Sequence, residues 1–549
     1  MKVSSILVFF LFNIGLGFSQ LPNVDWVKTY NNNVPADIRE LSIDKSGYIL
    51  LTGHFGDSLN FQTGVNSESI YSNGGSDIFI QKLDNQGNII WTKSIGGTDE
   101  DIAYGIDSDE FGNIYVTGRF SGTVNFDSGV TNFSLTATGT IDGFILKMNE
   151  NGNFIWVKRI GGQFNTIPAN IVYKNSNLFI TGGFEGVVDF DPSNNIINKT
   201  SNGTKDFFLL KMDQNGAFNW VRTFGGNVGE TGFSSVVDNS GYIYSTGYYF
   251  SQNVNYQISG QNYNLQHNGA YDIFVTKTDI NGQTIWMKGF GGSGGDIGYD
   301  IALDANGDLF ITGQIEDTCN IGGNALIGMG VDIMISKLDT TGNVIWANHH
   351  GGSNTDIGYS LCLDNQNHLF ISGYFQDSVT TVFPTLQSNG LQDYLILQLN
   401  HTNGNIVWSK TFGGINPDLS HSVNCDDLNN LYSAGFFQNN FNLEVNSVVQ
   451  NFVSSGSADG VLLKISGFSE TNNIDDIDNE IFVYPNPSYD QIKVYIGENN
   501  YNYQLINSQG QVIKLGQIQN YDFISLTEFN PGIYYLHINE RKPIVIIKQ

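Results

Sequence analysis

Along most of this chain, short runs of β-branched and aromatic residues alternate with polar positions, and Gly, Asn or Asp ends each run. Gly112-Asn-Ile-Tyr-Val-Thr-Gly118 shows the pattern, and nowhere does the spacing follow a helical period. The runs themselves repeat. Trp26, Trp91, Trp156, Trp220, Trp286, Trp346 and Trp408 stand 65, 65, 64, 66, 60 and 62 residues apart, and no Trp lies outside the series. Each unit holds four such runs, many of them apolar on both faces. Four strands in a unit of this length predict a propeller blade, since solenoid coils are shorter. The pattern therefore predicts an all-β, seven-bladed β-propeller over residues 20–465.

The phase of the blades is also legible. Lys82-Leu-Asp84-Asn-Gln-Gly87-Asn-Ile-Ile-Trp91 reads as a tight hairpin, so the run before it and the Trp run are the two outer strands of one blade. The run after Gly96-Gly97 then opens the next blade as its innermost strand. Trp26-Val-Lys28 is left without a hairpin partner and is predicted to pair beside Asp459 to Ile465, closing the ring and removing an open edge. The phrase Gly-Gly…Asp…Asp-x-x-Gly-Asn-x-Tyr-x-Thr-Gly resembles the seven-bladed β-propeller repeat of bacterial secreted and surface proteins. The resemblance covers residues 26–465 and implies a fold and an extracellular setting, but no reaction.

Both ends read as export signals. Met1-Lys2, the apolar run Ile6 to Phe18 and small residues before Gln20 predict a signal peptide over residues 1–19. Residues 466–480 are acidic and turn-rich, as a linker would be. Residues 481–549 hold short strands predicted at 491–496, 502–507, 511–515, 522–526, 532–538 and 543–548, enough for a small β-sandwich. Pro485-Asn486-Pro487, Gly510 in a turn, Pro531-Gly532-Ile-Tyr-Tyr-Leu-His-Ile538 and a last strand ending at Lys548 resemble the type A sorting domain of the type IX secretion system. That resemblance implies Sec export, engagement of the type IX machinery through residues 481–549, and passage across the outer membrane of a Gram-negative, Bacteroidota-type cell, usually with loss of the domain.

Composition narrows the partners. Twenty-five Lys+Arg against 53 Asp+Glu give a net charge of −28, and a sequence pI near 4.4 argues against a nucleic-acid partner. Charged residues are only 14% of the chain, against about 25% in ordinary domains. No run beyond the first is long enough to span a membrane, so a mature monomer without a transmembrane span is expected. Cys319, Cys362 and Cys425 are too few and scattered for a disulfide framework, and no structural disulfide is expected.

A residue present in every blade reads as architecture. Asp77, Asp142, Asp206, Asp272, Asp332, Asp393 and Asp459 open the same strand in all units and are predicted to accept backbone N–H bonds from the preceding turn. Asp-x-x-Gly turns such as Asp84 to Gly87 resemble calcium loops, but lack the further oxygen ligands and the bidentate Glu. They read as hairpin turns, and no cofactor is evident. Residues that vary between blades are more informative. Ten positions past the Trp lie Asp101, Glu230, Asp296, Asp356 and Asp418, with Thr166 and Ala36 in the other units. Three further on lie Tyr104, Phe233, Tyr299, Tyr359 and His421, with Arg39 and Ala169 as exceptions. Both sets are predicted to ring the channel mouth, where carboxylates beside aromatic faces suit a sugar, a cation or a basic peptide. His349 and His350 point to opposite faces of a strand and make a poor metal pair with Asp356, Asp418 and His421.

No catalytic motif is present. The expectation is a secreted or cell-surface, non-enzymatic propeller that binds an extracellular glycan, protein or surface at its channel mouth. A polysaccharide hydrolase or lyase using the same carboxylate ring is the alternative.

Overall fold

The computed structural model describes residues 22–468 and 482–548, apart from 32–33, 64–65, 128–131, 259, 380–385, 446–447, 456, 485–490, 496–500, 508, 520–521 and 539–543. The predicted signal peptide, most of the linker and Pro485 to Pro487 lie outside the described residues. The chain divides into two compact units, Met1–Ser469 and Glu470–Gln549.

The first unit consists of seven four-stranded antiparallel meanders. Their innermost strands are Ala36–Ile43, Ile102–Ser108, Thr166–Lys174, Glu230–Val237, Ile297–Leu303, Ile357–Leu363 and Leu419–Cys425, which define blades 1 to 7. Each inner strand packs on the next, and that of blade 7 packs on that of blade 1, so the ring is closed. The closing strand is the N-terminal Asn23–Tyr30, antiparallel to Asp459–Ser466 with Trp26 opposite Lys464. Strands such as Asp77–Leu83 are buried along their whole length because another blade covers each face.

The repeated residues join neighbouring blades. Trp91 Nε1 donates to the carbonyl of Glu150 in the next blade's turn at 3.1 Å, and Trp286 does the same to Thr340 at 3.2 Å. That turn must end in glycine. Gly152 has φ +72°, and a Cβ there would come within 2.9 Å of the Trp91 indole. Six of the seven strand-opening acids accept a turn N–H as predicted, Asp77 from Asn73 at 3.0 Å and Asp142 from Thr138 at 2.8 Å among them, whereas Asp332 is instead engaged by His349. The Asp84 turn is likewise closed by its own backbone, with Gln86 and Asn88 N–H donating to Oδ1 at 3.0 and 2.8 Å.

Two features depart from the sequence expectation. Between its second and third strands each blade extends a further hairpin, for example Ser58–Thr63 with Asn66–Tyr71, or Asn253–Ile258 with Gln261–Gln266. These arms bond to the Gly-Gly segment of the preceding blade, as Gly161 with Asp189 and Gly162 with Val188. Their composition is polar, so they lack the apolar signature of the blade strands. The second correction concerns the cysteines: Cys362 and Cys425 form a disulfide, while Cys319 is free and buried. The pair is 63 residues apart, one repeat, and residues one repeat apart lie on adjacent inner strands.

The second unit has a three-stranded sheet (Phe482–Tyr484, Gln491–Tyr495, Phe523–Ser525) and a four-stranded sheet (Tyr501–Asn507, Val512–Ile518, Gly532–Ile538, Ile544–Lys548). Ile492, Val494, Leu505, Ile524, Leu536 and Ile546 from both sheets form one core, which makes it a small β-sandwich.

Candidate functional site

Every innermost strand is interrupted by a β-bulge at the same level. The register shifts fall at Arg39, Tyr104, Ala169, Phe233, Tyr299, Tyr359 and His421, one in each blade. A bulge frees one residue from pairing and re-aims its side chain. All seven line a single cavity of about 410 Å³ at the channel mouth, together with Ile167, Gly183, Lys205, Thr231 and Tyr248. The rings of blades 4 to 7 form an unbroken arc. Phe233 and Tyr299 centroids are 5.3 Å apart, Tyr299 and Tyr359 5.0 Å, and Tyr359 and His421 5.3 Å. These spacings fall in the range of favourable edge and offset contacts, so the arc is self-supporting. Tyr248 packs on Phe233, Tyr374 on Tyr359 and Phe436 on His421 as a second row.

The predicted carboxylates take a different place. Asp101, Glu230, Asp296, Asp356 and Asp418 have no exposed surface and do not line the cavity. Each spans two backbone donors. One is the second glycine of the Gly-Gly segment: Gly97, Gly226, Gly292, Gly352 or Gly414, at 2.7 to 2.8 Å. The other lies past the second strand: Ser121, Ser251, Glu316, Gln376 or Gln438, at 2.9 to 3.1 Å. They fasten the entry to the inner strand. Burial outweighs these bonds and pushes Asp101, Asp296, Asp356 and Asp418 up to about 7. The two sets predicted to share the mouth are thus separated, with the aromatic and His set in the cavity and the acidic set behind it.

The cavity wall is instead weakly cationic. Arg39 Nε lies 2.9 Å from Asp37, and His421 Nε2 lies 3.3 Å from the same buried carboxylate. Burial alone would raise Asp37, but His421 and Arg39 hold it well below the ordinary carboxylate range. Burial drives the adjacent His54 down to about 4. Deeper in the channel, one residue past the bulges of blades 1 and 5, stand Glu40 and Asp300. Asp300 accepts from Ser234 Oγ at 2.7 Å, Ser360 Oγ at 3.1 Å and Leu361 N–H at 2.8 Å; Glu40 accepts from Ser422 Oγ at 3.1 Å. Burial raises both carboxyls above their usual values, and the charge of Asp300 raises Glu40 further. Sequence reasoning passed over Glu40, Asp300, Lys205 and Tyr248. The signal lay in aligning the blades one position past the ring, where the other five carry Gly105, Asn170, Ser234, Ser360 and Ser422.

The adjacent histidines do not join this site. His349 Nδ1 lies 2.7 Å from Asp332, and His350 Nε2 meets the Gly404 carbonyl at 2.8 Å. Among the described residues, no group of three or more His, Cys, Asp and Glu side chains is arranged to hold a metal ion.

Comparison with known proteins bears on fold and export. Residues 482–549 match the secretion system C-terminal sorting domain, and residues 90–119 match the β-propeller repeat. An uncharacterized WD repeat-containing protein of Acanthamoeba polyphaga mimivirus is 23% identical over 439 residues, covering 64% of this chain and 31% of that protein. Regulatory protein FlaEY of Caulobacter vibrioides is 23% identical over 406 residues, covering 69% of this chain and 40% of its own length. The chain therefore spans less than half of either relative. Among solved structures, the WD40 β-propeller domain of Doa1 aligns over 81% of this chain and 96% of that one, at 10% identity and a TM-score of 0.37. The chain is a β-propeller protein with a type IX sorting domain, directed to the surface or exterior of a Bacteroidota-type cell.

Proposed function

We propose that the exported propeller binds a saccharide at its channel mouth and does not transform it. The observation that carries this reading is the arc Phe233–Tyr299–Tyr359–His421, with ring spacings of 5.0 to 5.3 Å, set along one side of a cavity of about 410 Å³. Aromatic faces match the apolar C–H faces of a pyranose, and Tyr hydroxyls and the Arg39 guanidinium supply polar partners at the edge. Tyr299 Oη already donates to Gln314 Oε1 at 3.1 Å, which orients its ring. The five ring acids are engaged by backbone donors, so a hydrolytic alternative would have to draw on the other raised carboxyls of the innermost strands, Glu40, Asp107 and Asp300.

A glycan array followed by thermal melting of the full chain tests the reading. A bound saccharide raises the melting temperature of the wild type and leaves that of Tyr299→Ala unmoved. Release of reducing ends from a bound glycan, abolished by Glu40→Gln, would overturn the non-enzymatic part. Failure of every saccharide to bind would remove the saccharide reading.

A further inference from the structure

Blade 3 differs from the other six at the channel mouth. Its bulge residue is Ala169, and where strand two of the other blades carries His54, Arg119, Tyr248, Gln314, Tyr374 or Phe436, it carries Gly183. The aromatic arc therefore faces a notch. The space is crossed by Lys205: a Cβ on Gly183 would lie 2.8 Å from its Cδ and 3.1 Å from its Cγ. Lys205 is half-buried, lines the cavity, and has no carboxylate partner at ion-pair distance among the described residues. Arg39 is the second cation of the wall, and its partner Asp37 is buried and lies outside the lining. The cavity lining thus holds one cation without a carboxylate partner, Lys205, and a second, Arg39, paired with Asp37 behind the wall, inside a strongly anionic protein.

Resting on the saccharide reading above, we propose that the blade 3 notch is an anion subsite, in which Lys205 Nζ holds the acidic group of a sugar whose ring lies against the aromatic arc. An ammonium on a buried stem is a compact point charge that accepts a carboxylate or a sulfate equally. A neutral sugar of the same shape would strip water from Lys205 and return no compensating charge, so the subsite discriminates against it. The low-dielectric wall of rings strengthens the pairing relative to water.

Calorimetric titration of the full chain tests this with three probes: a galacturonate trisaccharide, its neutral methyl ester, and a sulfated galactose trisaccharide. The expected result is at least tenfold tighter binding of one or both acidic probes over the ester, and the tighter acid identifies the group. Lys205→Met, which keeps the stem, abolishes that preference by weakening the acidic probes and lifting the desolvation cost on the ester, and Lys205→Arg retains it. Equal affinity for all three probes, or an unchanged preference in Lys205→Met, overturns the anion subsite while leaving saccharide binding intact. Binding of none of them, together with a blank array, overturns both.

Discussion

Removing the Asp356 carboxylate should weaken the fold and spare the ligand. Asp356 has no exposed surface and accepts Gly352 N–H at 2.8 Å and Gln376 N–H at 2.9 Å. Asp356→Ala takes the acceptor from both donors, which sit on half-buried residues, at about 1–3 kcal/mol each, or about 2–6 kcal/mol in total. Asp356→Asn keeps one oxygen but sets an NH₂ group against the other donor, so about half of that loss is expected. With about 2.1 cal/mol/K of unfolding entropy per residue, a propeller of about 445 residues has an unfolding entropy near 0.9 kcal/mol/K. The melting temperature should therefore fall by about 2–6 °C for Ala and by about half as much for Asn. Differential scanning calorimetry measures the shift, and titration with any saccharide found on the array measures binding. Asp356 lies three residues from Tyr359, so the comparison is local. A shift below 1 °C, or loss of binding with the melt intact, would refute the assignment of this acid to architecture.

Three further outcomes follow from the same geometry. Deleting residues 22–30 strips the outer strand from blade 7, where seven residue pairs from Asn23–Ser466 to Tyr30–Gly460 close the ring; cooperative unfolding should be lost, and an unchanged melting curve contradicts closure. Five acids, Asp101, Asp206, Asp296, Asp356 and Asp418, are pushed up to about 7 when folded from near 3.9 when unfolded, so the folded state binds more protons between those values. Their stabilisation is full below about pH 4 and is lost as pH rises through 7. His54 and His350, held near 4 by burial, oppose this over the same range but are two groups against five, with Asp77, Asp107 and Asp393, raised to about 6, adding to the acids. The melting temperature should therefore be higher at pH 5 than at pH 8, and a flat or rising profile contradicts the burial argument. Peptide mapping of the unreduced protein should recover Cys362 linked to Cys425, with Cys319 alkylated only after unfolding; free Cys362 in the secreted protein would contradict the pairing.

The blade count, the phase of the strands and the closing strand were legible because they rest on apolar periodicity, repeated in seven blades, and on the packing of a turn glycine against the preceding blade's Trp, which six of the seven Trp make. The channel ring was legible for a related reason: positions that vary against a fixed background stand out, and Tyr104, Phe233, Tyr299, Tyr359 and His421 did. Their separation from Asp101 and its equivalents was not. A three-residue offset on a regular strand puts side chains on opposite faces, and the bulge between Ala103 and Gly105 changes the facing again, a shift that composition does not announce. Lys205 and Gly183 were illegible for a different reason. Lys205 immediately precedes the third strand of blade 3, Asp206–Asp213, and Gly183 lies in the second, and only the folded sheet brings them beside Ala169. The disulfide was missed because cysteine counting looks for a framework, whereas one repeat of separation already makes two residues neighbours.

The central claim is that the ligand sits against the bulge ring of the channel. Hydrogen–deuterium exchange of the full chain with and without a saccharide from the array tests it directly. Protection should concentrate on the inner strands Glu230–Val237, Ile297–Leu303 and Ile357–Leu363 and be absent from Tyr299→Ala. Protection confined to the outer arm Asn253–Ile258 and the neighbouring cleft of about 480 Å³ lined by Arg222, Tyr256 and Met287 would place the ligand elsewhere and contradict the account.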